Sequence, residues 1–123
     1  MLELLFGLFL IAHGLVHALY LAPAPPPSEN EAEWPFDLTH SWLLSGIGLG
    51  ERLVRAVGTA LVVVTVAAFA IAGLGPLGVY AGWEPVAIVA AASGLALLVL
   101  YWRPWLTLGV AINGVLLGAL LLR

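Results

Sequence analysis

Between Arg55 and Glu84 the chain carries no charged side chain at all, and the same holds from Glu84 to Arg103 and from Arg103 to Arg123. Uninterrupted apolar text of this length leaves few folds open. A run near 20 residues at ~1.5 Å per residue crosses a hydrocarbon core of ~30 Å, and a helix closes its own backbone hydrogen bonds there. Only 9% of the 123 residues are charged and mean hydropathy is +1.10, whereas a soluble surface draws on roughly 25% charged residues. The composition predicts an integral membrane protein.

Punctuation divides the chain into four spans. An apolar run from about residue 3 to 22 ends at Pro23-Ala24-Pro25-Pro26-Pro27, because proline lacks the amide a helix needs and forces its predecessor into an extended conformation. A loop over 23–52 follows, acidic at Ser28-Glu29-Asn30-Glu31-Ala32-Glu33, with His40-Ser41-Trp42-Leu43-Leu44 as a short interfacial helix. A second span covers about 53–73 and breaks at Gly73-Leu74-Gly75-Pro76-Leu77-Gly78. Pro85 suits the first turn of a third span over about 85–102, and Arg103-Pro104 leads into a fourth over about 104–122. The expected fold is all-α: one antiparallel four-helix membrane bundle, a single domain, with a long Pro-rich first loop. Glu3 is the only early charge and Pro25 follows the small-x-small text Ala22-Pro23-Ala24, so the first helix is expected to be retained rather than cleaved as a leader.

Charge excludes some functions and orients the chain. The net charge of -3 comes from seven acids and four arginines with no lysine, which rules out a basic nucleic-acid surface. There is no cysteine, hence no disulfide, thiolate metal site or cysteine nucleophile. Arg52, Arg55 and Arg103 sit at the first-loop end, which by the positive-inside rule puts that loop in the cytoplasm of a bacterial or archaeal cell.

His13 and His17 are the residues such a segment tolerates least. Four apart on a helix, they share one face a turn apart, and an ionisable group inside a span suggests a site. Counting from the first-loop ends of the spans, His13, Ser93 and Asn113 each lie about nine residues in, a depth of ~13 Å at ~1.5 Å per residue. Thr59 and Thr65 bracket that level. This polar layer has two readings. It either ties helices together through interhelical hydrogen bonds worth ~0.6–2 kcal/mol each, or lines a cavity open towards the first loop. In the second reading His13 and His17 are acid–base or hydrogen-bonding groups, Asn113, Ser93 and Thr59 orient a ligand, and Trp42 or Trp105 roofs it. A small hydrophobic or amphipathic molecule such as a quinone, isoprenoid or lipid fits such a place.

His13, His17 and the loop residue His40 could also offer three imidazoles to a divalent metal, with Asp37 or Glu51 as a carboxylate, although the glutamate of HExxH is missing. Haem is disfavoured, since two axial ligands must approach from opposite sides and no other span carries a histidine. A transporter reading lacks intramembrane acids. Small residues suit close helix contact at Gly7 with Gly14, at Ala90-x3-Gly94 and at Gly114-x3-Gly118, and four short spans leave surface for a homodimer or a larger membrane complex. Gly46-x-Gly48-x-Gly50 lacks the strand and lysine of a phosphate loop.

The text Leu8-Phe9-Leu10-Ile11-Ala12-His13-Gly14-Leu15 resembles the opening helix of DoxX-like four-helix membrane proteins, which often carry a His-Gly pair there. Trp34-Pro35-Phe36 and Arg103-Pro104-Trp105-Leu106 are similar to segments of other small bacterial four-span proteins. The DoxX-like resemblance implies a role in quinone-coupled oxidation, or as a subunit of a redox complex, with His13 and Gly14 as the matching residues. The first loop here is longer than that family's compact pattern. An accessory or scaffold subunit is the alternative to a ligand-binding protein.

Overall fold

The computed structural model describes residues 1–23, 26 and 34–123. Within them the chain is all-helical, with four α-helices and no strand. Helix α1 spans Leu2–His17 and tightens into a 3-10 turn over Ala18–Leu21. Ala22 is then extended, at φ -77° and ψ 147°, the conformation proline imposes on the residue before it. The acidic stretch 28–33 lies outside the described residues.

Helix α2 covers Glu51–Leu74. It starts two residues before the expected position because Glu51 favours the positive first turn and reaches Arg55 one turn on, at 3.1 Å. It runs out at Gly75, and the chain reverses through Gly78, whose φ of +85° is a left-handed value that glycine adopts without penalty. Helix α3 covers Glu84–Leu100 with Pro85 in its first turn. Arg103, extended before Pro104, leads through a 3-10 turn at Pro104–Leu106 into α4, Thr107–Leu121. Three helical stretches are long and apolar enough to cross a membrane: Leu2–Leu21, Glu51–Leu74 and Pro104–Leu121, with mean hydropathies of 2.0, 2.4 and 1.7. Glu84–Leu100 is apolar but shorter.

The short interfacial helix expected at 40–44 is absent. Residues 42–48 instead form hydrogen-bonded turns, with Ser45 N–H donating to Ser41 O and Leu49 N–H reaching back five residues to Leu44 O. Gly48, at φ +96°, prevents the turns from propagating as a helix. What the segment does is finish α3. A helix leaves its last carbonyls without partners; here Ser41 Oγ donates to Leu100 O at 2.6 Å and the Trp42 indole to Val99 O at 2.6 Å. The Tyr101 hydroxyl donates to Val54 O, tying the end of α3 to α2.

The apolar core is in two parts. One contains Tyr20, Val54, Val62, Leu97, Tyr101 and Leu106; the other contains Leu10, Ala68, Phe69, Ala72, Ala87 and Ala90. Along every helix a polar residue falls between them: His13 and His17 on α1, Thr65 on α2, Ser93 on α3 and Asn113 on α4. Glycines set the approach. A Cβ on Gly7 would fall 2.6 Å from Gly73 O, one on Gly14 2.3 Å from Phe69 Cβ, and one on Gly94 2.8 Å from Asn113 Oδ1. Among the described residues Gly114 and Gly118 meet nothing within 4 Å, so that pair makes no close helix contact there.

Candidate functional site

Three side chains from opposite ends of the sequence meet in the polar layer. The helical spacing of His13 and His17 turns both rings inward, where they retain 9% and 3% exposure, and Asn113 retains none. His17 Nδ1 lies 3.0 Å from His13 O. A carbonyl can only accept, so this bond puts the His17 proton on Nδ1 and leaves Nε2 as an acceptor. Asn113 Nδ2 addresses that nitrogen at 3.4 Å and donates its other hydrogen to Gly109 O at 3.0 Å. Both donors of the amide and both nitrogens of His17 are thereby engaged. His13 Nε2 and Asn113 Oδ1 are buried with no partner within hydrogen-bond distance, although the two side chains face each other.

Aromatic rings wall the histidines in. Phe9 stacks on His13, with centroids 5.6 Å apart and planes 14° apart, while Phe69 meets His13 edge-on at 5.1 Å and lies nearly parallel to His17 at 5.8 Å. Gly14 admits Phe69, and Gly94 admits the Asn113 amide beside Thr65. The hydroxyl of Thr65 donates to Ser93 Oγ at 3.0 Å, and Ser93 Oγ donates in turn to Ala90 O at 3.1 Å. No acid or base of fixed charge touches this layer in any of the contacts described, so an acid–base role would fall to an imidazole.

Other expected site residues lie elsewhere. Thr59 sits towards the first loop, where its hydroxyl donates to Arg55 O at 2.8 Å. The Trp42 indole is engaged in closing α3, and Trp105 is 71% exposed, away from the histidines. His40 is exposed in the loop. Among the described residues no three His, Asp or Glu side chains come together as a metal would require. The set of His13, His17 and His40 is therefore not assembled: the two helix histidines are buried in the layer while His40 is exposed in the loop.

Two cavities among the described residues lie towards opposite ends of the helices, and neither is lined by His13, His17 or Asn113. One of about 590 Å³ opens beneath the first loop, among Tyr20, Trp34, Phe36, Asp37, Arg55 and Thr59. Another of about 470 Å³ lies at the opposite end, among Glu3, Phe6, Trp83, Glu84 and Arg123. Asp37 braces the first: its Oδ1 accepts from the Thr39 amide at 2.8 Å and hydroxyl at 2.7 Å, and its Oδ2 lies 3.6 Å from Arg103. Burial works against ionisation of Asp37, but the Thr39 hydrogen bonds, then the charges of Arg103 and Arg55, outweigh it and hold the carboxyl below its ordinary value.

Sequence reasoning missed Phe9, Tyr20 and Phe69 as neighbours of these sites. Phe9 and Tyr20 stand four residues before His13 and three after His17, so the helical repeat carries a signal for both. Nothing local distinguishes Phe69 from the other apolar residues of α2. No protein-family model, curated protein or solved structure matches the chain.

Proposed function

We propose that this is an integral membrane protein, an antiparallel bundle of four spans, that binds a small amphipathic molecule at its histidine layer. The membrane part is supported by the length and hydropathy of three helices and by the apolar residues on their outer faces, among them Leu5, Leu8, Leu15, Val16 and Val63. The antiparallel part is supported by the pairing of Gly7 with Gly73 and of Gly14 with Phe69. Arg52, Arg55 and Arg103 favour a cytoplasmic first loop.

One observation carries the ligand: His13 Nε2 and Asn113 Oδ1, on side chains that face each other, are both buried with no partner within hydrogen-bond distance. Leaving such a group buried and unsatisfied costs ~1–3 kcal/mol. A hydroxyl both donates and accepts, so the hydroxyl of a quinol, a prenol or a glycerolipid would answer both atoms. His13 keeps more exposure than His17 or Asn113, so it is the ring that a molecule arriving from the bilayer meets first. The DoxX-like text of α1 points to the same class of ligand.

Native mass spectrometry of the detergent-purified protein beside His13→Phe and Asn113→Leu tests this. The expected result is a co-purifying lipid-soluble species in the parent that both variants lose while remaining folded. Variants that lose stability with no bound species to lose would instead support an accessory or scaffold subunit. One feature favours that second reading: His17 is fully engaged by its own helix and by α4.

A further inference from the structure

We propose that the cleft beneath the first loop is a separate binding site, taking a neutral amphiphile whose head presents carbonyl oxygen. The polar groups lining it sort into two kinds. Asp37 is held by Thr39 and Arg103, Arg55 faces Glu51 at 3.1 Å, and Thr59 is bonded to its own helix. Tyr20 Oη and Trp34 Nε1 are buried with no partner. An indole can only donate, and a phenol donates well, so what the residues lining the cleft leave unanswered is a pair of donors, both closed to water in the cleft as it stands.

Their surroundings select the rest of the ligand. Tyr20 keeps 5% exposure and meets Phe36 edge-on at 5.3 Å, and Trp34 meets the same ring at 5.3 Å. These three rings make an aromatic corner, with Leu21 and Leu38 adding apolar lining. A neighbouring tyrosine shows that the fold can satisfy a phenol when nothing else is to be bound there, since the Tyr101 hydroxyl donates a hydrogen bond to Val54 O. The guanidinium and the carboxylate that line the cleft are each matched by an opposite charge, which disfavours an ionised head. A carbonyl accepts two hydrogen bonds through its two lone pairs, one for each donor. Esters of bilayer lipids and free ketones share that chemistry.

The test uses the full chain in lipid nanodiscs and measures retention of radiolabelled methyl laurate, dodecyl methyl ketone, dodecane and laurate. The ester and the ketone are expected to bind about tenfold more tightly than the alkane, and Tyr20→Phe or Trp34→Phe each to weaken them by roughly fivefold to tenfold, the share of one hydrogen bond. A preference between ester and ketone separates a lipid source from a free carbonyl compound, and either preference supports the site. Tyr20→Phe removes a hydroxyl that bonds to nothing, so without a probe its melting temperature should hold or rise; a structural tyrosine would show the opposite. If that variant fails to fold, Trp34→Phe decides alone. Equal retention of dodecane and ester, unchanged affinity in both variants, or tighter binding of laurate that is lost in Arg55→Gln would each overturn the proposal. So would loss of the ester in His13→Phe, which would merge this site with the histidine layer.

Discussion

Asn113 Nδ2 on the last helix lies 3.4 Å from His17 Nε2 on the first, across 96 positions of sequence. Consecutive helices pack through apolar side chains and glycines, with Thr65 bonded to Ser93 between α2 and α3, and the Asn113 contact joins the two ends of the chain. The last helix has most need of it, since only 11% of its membrane-length window is buried, against 39% for α2.

Asn113→Ala should therefore lower thermal stability in detergent, by ~1–3 kcal/mol, because it strips a partner from a buried imidazole. His17→Phe should cost less when Asn113 is already leucine than when it is not. The coupling expected from the double-mutant cycle is about 1 kcal/mol, and additive losses would mean that the contact contributes nothing.

Gly14→Ala should be strongly destabilising, since the new methyl would fall 2.3 Å from Phe69 Cβ, where backbone and ring must both move. Overpacking of this kind costs ~1–3 kcal/mol. Gly114→Ala and Gly118→Ala, which meet open space inside α4, should leave the melting temperature of the monomer unchanged or raise it, since alanine is the better helix former. Circular dichroism melts of the three variants side by side provide the check.

Ser41→Ala should loosen the first loop. The hydroxyl is fully buried, donates to Leu100 O and accepts from the Leu44 amide at 3.2 Å, so its loss leaves a helix-end carbonyl and an amide unanswered, at ~1–3 kcal/mol. Faster hydrogen exchange confined to 41–49 and the last turn of α3 is the expected signature. Trp42→Phe should show a smaller effect, because its bond to Val99 O is exposed to solvent.

Acid should detach the segment around Asp37. Its carboxyl is held below the ordinary value of about 4, so the stabilisation is complete above that value and disappears as pH falls through the lower, folded value. Limited proteolysis of the loop should accelerate only at the acid end of a pH series. Asp37→Asn should be cleaved faster at neutral pH and lose most of that dependence. With Asp37 34% exposed, solvent screening keeps the effect modest.

What the sequence revealed, it revealed through periodicity and punctuation. The depth count that brought His13, Ser93 and Asn113 to one level needs only the rise of a helix and the prolines and arginines that end each span, and these residues do lie in one layer. Tertiary partners set what it could not show. The Ser41 and Trp42 stretch has a helix-like pattern, yet the open carbonyls of α3 draw its side chains away. The cleft is similar: Tyr20 reads as one more residue of an apolar run, and only the return of Trp34 and Phe36 from the loop turns its hydroxyl into a feature. His40 read as a third ligand because sequence gives no distance between a residue well inside a long loop and the helix that precedes it.

The absence of a side chain at Gly94 ties its fate to Asn113. A Cβ there would lie 2.8 Å from Asn113 Oδ1 and 3.2 Å from Thr65 Cγ2, so the two positions divide one fixed volume between them. Randomising 94 alone should return glycine. Randomising 94 and 113 together should return compensated pairs, and each variant that enlarges the third helix at this point would give up the bridge between the chain's two ends.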